Sequence, residues 1–225
     1  MNEIHSTVII GENVIIGKNN KILPYTIIEG PTVIGDNNII GPHVCIGMPG
    51  QDTRNKYYDS SISLIEIGSN NIIREFCSIQ KPAYQKLTKI GNSVFLMQGV
   101  HIPHDALISD EVVITPMCVL AGITRVLKGA NLGMSCTLNQ YCVVGHYSII
   151  ATGAATMKNV KPFSKFIPGK KLGVNYYALQ KFGFMDFQKE IEEYIFNDIP
   201  PASVTISSIV SEFNIAHELS NRELY

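Results

Sequence analysis

Isoleucine stands at positions 4, 10, 16, 22, 28, 34, 40 and 46, eight times in succession at an interval of six. The phase is lost, returns at Ile67, Ile73 and Ile79, is lost again, and then runs through Ile90, Leu96, Ile102, Ile108, Ile114, Leu120, Val126, Leu132, Leu138, Val144 and Ile150. An α-helix repeats every 3.6 residues and a strand every two, so neither has this interval. A chain that turns a corner every six residues does. Three such sides close a coil of about 18 residues, and stacked coils bury the aliphatic column inside a triangular prism. No coil can bury its own face, so stability comes from the neighbouring coils, stacked about 4.8 Å apart. The expected fold is therefore an all-β parallel β-helix.

The two losses of phase fall at residues of a different kind. The first, about 47–64, reads "GMPGQDTRNKYYDSSISL"; the second, about 80–88, contains "QKPAYQKLT". Both are expected to protrude as loops, and long loops on a rigid scaffold are where function concentrates. After Ile150 the pattern decays, and helical spacing takes over at 174–184, 186–198 and about 203–223, with Ser203 as an N-cap. The expected organisation is a β-helix over 1–168 and a small helical C-terminal region over 169–225. Cys77, Cys118, Cys136 and Cys142 each lie two residues before an aliphatic position, an inward corner that suits a small thiol.

The five cysteines form no CxxC pair, and the formal net charge is −1. These totals point to a reducing, cytoplasmic compartment, no zinc site and no general affinity for nucleic acid or membrane surfaces. No signal peptide and no transmembrane segment is expected.

The segment "HIPHD" at 101–105 carries the chemistry. Ile102 is an inward position, which sets His101 and His104 near or on the outer surface of one coil. Eighteen residues beyond His104 lies Gly122, one coil along in the same column, with a backbone N–H open to a ligand. An imidazole can serve as general base near neutral pH, Asp105 can orient it, and the Gly122 N–H can hold an oxyanion. No serine or cysteine nucleophile stands beside them, so direct acyl transfer to a hydroxyl or amine suits these parts. His5, His43, His146 and His217 have no such neighbours and read as structural or solvated.

The chain resembles the UDP-N-acetylglucosamine acyltransferases that begin lipid A synthesis, within the hexapeptide-repeat acyltransferases. The resemblance rests on "QD" at 51–52, "IRE" at 73–75, "HIPHD" at 101–105, "LAG" at 120–122 and "GVNYYALQKFGF" at 173–184. It implies a left-handed β-helix, a homotrimer with active sites between subunits, a nucleotide-sugar acceptor, and an acyl-CoA or acyl-carrier-protein thioester as co-substrate with no permanently bound cofactor. On that pattern His104 is the general base, Asp105 its supporting carboxylate and Gly122 the oxyanion donor. His101, Gln51, Asp52, Gln140 and Asn175 become substrate contacts, and Met97 lines the acyl channel.

The departures are local. Ile123 and Asn139 replace family histidines, as does Gln80; Tyr177 replaces a uridine-reading glutamate; and Lys181-Phe182 replaces a paired basic element. They suggest a divergent paralogue whose acceptor is a nucleotide-linked sugar of surface glycan or lipopolysaccharide synthesis, with Asn139, Tyr177 and Lys181 on the substrate side. The alternatives are the orthodox lipid A enzyme and, from another class, a non-catalytic trimeric scaffold or sugar-nucleotide binder. A zinc carbonic anhydrase on the same fold is disfavoured by the spacing of His101, His104 and His146.

Overall fold

The computed structural model describes residues 1–52 and 63–225, so most of the expected first loop lies outside the described residues. The described strands form three sheets of ten, eight and seven short strands, almost all parallel. They are the three faces of a left-handed parallel β-helix. The aliphatic column stacks in register, Ile4 on Ile22 on Ile40 in one sheet and Ile10 on Ile28 on Ile46 in the next. Ile22 through Ile150 are essentially inaccessible along this column. Each fully buried aliphatic side chain contributes about 1.5–3 kcal/mol, which is how a coil with almost no internal contacts is held.

Adjacent coils are normally 18 residues apart, as between Asn20 and Asn38. Across the first insertion the offset becomes 33, as between Asn38 and Asn71. Across the second it becomes 23, as between Asn71 and Val94. Both insertions are therefore looped out while the aliphatic column stays in register, with one bulge after Ile79. The second is shorter than the sequence pattern suggests, because pairing resumes at Leu87, whose strand runs to Ile90. Asn20, Asn38 and Asn71 form a buried ladder at one inner corner, with each side-chain oxygen accepting a backbone N–H from the next coil at 2.7–2.9 Å. Cys77, Cys118, Cys136 and Cys142 occupy other inner corners and are buried, and all five cysteines are free.

The prism ends at Ser164–Phe166, and Gly173–Val174 folds back on it antiparallel. Three helices follow: α1 (Tyr176–Lys181), α2 (Gln188–Asn197) and α3 (Val204–Ser220). The first is shorter than the expected 174–184. Asn175 caps its start, and Gly183, at φ +78°, stops the chain from continuing. Ser203 caps α3 as expected, accepting the Ile206 N–H at 3.3 Å. Asn221 ends that helix three residues early in a left-handed conformation. The helices enclose a second core around Phe163, Leu179, Ile191 and Ile206, while Phe213 and Ala216 of α3 pack on Leu127 and Val143 of the prism. Among the described residues no helix is long and apolar enough to cross a membrane.

Candidate active site

The corner after His101–Ile102 creates the site. His101 projects outward from its strand, in register with Ser78 and Val119 on the coils either side. His104 and Asp105 form the next corner, where Asp105 adopts φ +61°, a conformation aspartate tolerates better than most residues. The same corner on the next coil is Ile123 at φ +64°, an unusual place for a β-branched side chain.

The His104 ring lies flat against Gly122. A Cβ at position 122 would fall 2.2 Å from Cε1 and 2.4 Å from Nε2 of the imidazole, so only glycine leaves room for the ring. On the following corner residue the backbone closes the contact, with Ile123 N–H donating to the His104 carbonyl at 3.1 Å. Among the described residues no acceptor takes the Gly122 N–H. Gly50, from the first insertion, backs the His104 side chain, and the Tyr84 ring stands 5.6 Å away.

His104 Nδ1 meets Asp105 Oδ2 at 2.8 Å. With Nδ1–H donated to the carboxylate, Nε2 is left as the basic nitrogen. Asp105 also accepts the backbone N–H groups of Ala83, Tyr84 and Gln85 at 2.8–3.1 Å. Burial pushes its carboxyl up, but the His104 bond and these three N–H donors outweigh that and hold it below the ordinary value. The second insertion is thus folded around the carboxylate beside the base. His101 Nδ1 lies 2.8 Å from Ser78 Oγ, and burial, then the neighbouring His104, lowers its pKa.

Gln51, Asp52, His101, His104, Gly122 and Gln140 line one cleft of about 680 Å³. His104 is not on the open surface, as its place on the outer side of the coil suggests; the two insertions cover it, and it is only 6% exposed. Asn139 is half-buried beside the cleft, its side-chain oxygen accepting the Gln140 N–H at 2.8 Å. Met97 is half-buried outside the cleft, and its carbonyl accepts the Cys77 thiol at 3.0 Å. Asn175, Tyr177 and Lys181 line a different, small cavity at the start of α1. Asn175 spends its amide on capping α1 and on the Tyr147 carbonyl, 2.8 Å away. Gln80, which stands in the sequence where the family has a histidine, lines the cleft beyond a bulge after Ile79. Tyr84 escapes sequence reasoning, because it belongs to a loop with no periodic position. Among the described residues no cluster of three or more His, Cys, Asp or Glu could hold a metal ion.

Fold and site together define a hexapeptide-repeat transferase. Residues 13–47 match the bacterial transferase hexapeptide (six repeats) model. The acyl-[acyl-carrier-protein]–UDP-N-acetylglucosamine O-acyltransferase of Thermodesulfovibrio yellowstonii is 35% identical over 208 residues, covering 83% of this chain and 80% of that protein. The corresponding protein of Verminephrobacter eiseniae is 31% identical over 163 residues, and there the chain spans 61% of the relative's length. The crystal structure of the Bacteroides fragilis UDP-N-acetylglucosamine acyltransferase superposes with a TM-score of 0.82 at 28% identity, over 100% of this chain and 98% of that one. The chain belongs to the UDP-N-acetylglucosamine O-acyltransferase family.

Proposed function

We propose that this protein moves an acyl group from a thioester donor to a hydroxyl of a nucleotide-linked sugar, with His104 as general base. The observation that carries this reading is the close approach of the His104 imidazole to Gly122, whose backbone N–H meets no acceptor among the described residues, with Asp105 at 2.8 Å on one ring nitrogen. In the reaction Nε2 takes the proton of the acceptor hydroxyl as its oxygen attacks the thioester carbonyl. The developing oxyanion accepts the Gly122 N–H. Collapse expels the thiolate, which recovers the proton from the imidazolium. Asp105 stabilises the imidazolium without taking its proton.

The names of the relatives favour UDP-N-acetylglucosamine as acceptor and an acyl carrier protein as donor. Gln51, Asp52, His101 and Gln140 are the acceptor-side contacts in this reading, and Asn139 borders them. Asn175, Tyr177 and Lys181 sit in another cavity of the same chain. We assign them to the site of a neighbouring subunit, which makes the working form a homotrimer. Met97 is assigned to the wall of the acyl channel across the same junction. Free cysteines and these substrates suit the cytoplasm. The test offers the protein UDP-N-acetylglucosamine with acyl carrier protein thioesters, and UDP- or dTDP-amino sugars with acyl-CoAs. Turnover with the first pair, lowered about 10²–10⁴-fold by His104→Ala, is the expected result. Unchanged activity of His104→Ala refutes the base assignment, and turnover with the amino sugars alone moves the reaction to N-acylation.

A further inference from the structure

We propose that Tyr84 is a positioning residue that ties the acceptor-side carboxylate of Asp52 to the loop anchored on Asp105, so that the acceptor contact is oriented before the acceptor arrives. The proposal rests on the acyl-transfer reading above and deepens it. Its starting point is the backbone of the second insertion. Three successive N–H groups, from Ala83, Tyr84 and Gln85, converge on the Asp105 carboxylate at 2.8–3.1 Å. Consecutive N–H groups turned on one anion form a nest, and here the nest fixes the backbone that carries the Tyr84 side chain.

From that anchor the side chain reaches two places. Its ring lies 5.6 Å from the His104 ring at an interplanar angle of 54°. Its hydroxyl donates to Asp52 Oδ2 at the rim of the cleft. The phenol therefore links the two insertions, one tied to the base and the other carrying the proposed acceptor contact. Tyr84 is 48% exposed, so burial alone does not fix its ring. Ordering its ring costs rotamer entropy, which a hydrogen bond to a carboxylate offsets. The hydrogen bond therefore holds the carboxylate in one orientation at the rim of the cleft, so binding does not have to order it.

Tyr84→Phe removes the hydroxyl and keeps the ring against His104. The expected result is a rise in acceptor KM of about ten- to a hundred-fold, the scale of a hydrogen bond to a charged group, with kcat within about threefold of wild type. Asp52→Asn raises the same KM, and the double variant is no worse than the worse single, because both changes break one link. A structural role alone would lower the melting temperature and kcat together. Wild-type KM in Tyr84→Phe, or penalties that multiply with Asp52→Asn, overturns the proposal and leaves acyl transfer standing. A wild-type protein that neither binds the nucleotide sugar in calorimetry nor consumes the thioester overturns the acyl-transfer reading and this inference with it.

Discussion

Replacing Gly122 by alanine adds one methyl group at the most crowded point of the site. That carbon would sit 2.2 Å from Cε1, 2.4 Å from Nε2 and 2.9 Å from Nδ1 of His104. Carbon atoms in contact stay about 3.5–4.0 Å apart, so the ring has to move by about 1.3 Å or more. Gly50 and the Tyr84 ring stand behind it, so the ring slides rather than retreats, and the 2.8 Å bond to Asp105 is stretched or lost. A misplacement of about 1 Å costs on the order of 10² in rate, and full loss of a general base costs about 10²–10⁴. The expected fall in kcat is therefore about 10²–10³-fold. Alanine keeps the backbone N–H, so this loss reports the ring's displacement and not the loss of an oxyanion donor. The flanking bonds of Ala121 N–H to Leu138 and Ile123 N–H to His104 are backbone pairs and survive the change, so the fold should hold. Gly50→Ala is the control. Its Cβ would stand 3.2 Å from His104 Cβ and 3.4 Å from Ala83 Cβ, a contact relieved by a few tenths of an ångström, with activity within about tenfold of wild type. The assay is mass-spectrometric quantification of acylated sugar nucleotide, with thermal melting alongside. A folded Gly122→Ala protein with more than a third of wild-type turnover would refute the packing argument.

Asp105→Asn should destabilise the protein by about 3 kcal/mol near neutral pH, because the buried carboxylate that accepts the N–H groups of Ala83, Tyr84 and Gln85 loses its charge. Since folding depresses the Asp105 pKa, its contribution is full above the ordinary carboxylate range, about 3.9, and is lost as the pH falls through the folded value. The gap between wild type and variant in urea melts should thus be constant from neutral pH down to weak acid and narrow below it; a gap that persists unchanged in strong acid contradicts the assignment. If sites form between subunits, His104→Ala and Lys181→Glu proteins, each inactive alone, should recover a fraction of wild-type activity when refolded together. Mixtures that stay as inactive as their components remove the argument for the trimer.

The legible part of this protein is the part built by repetition. Where the interval of six holds, distances can be counted: residues 104 and 122 are one coil apart by spacing alone, and the ring–backbone contact is there. The inward thiols of Cys118 and Cys136 follow from the same count. The count stops at the insertions. His104 looks exposed by its place on the coil, yet Gly50 and Tyr84 arrive from two loops to cover it, and no periodic position announces either. The bonds that hold the second loop are made by backbone N–H groups, which every residue but proline owns, so they leave no mark in the sequence. Asn175, Tyr177 and Lys181 pose the opposite problem. Their motif is recognisable, but α1 follows the last coil and has no register with it, so spacing cannot say which His104 they serve. The base and its glycine are therefore properties of the prism, the closure of the cleft is a property of the insertions, and a substitution in either loop should alter what is bound before it alters the proton transfer.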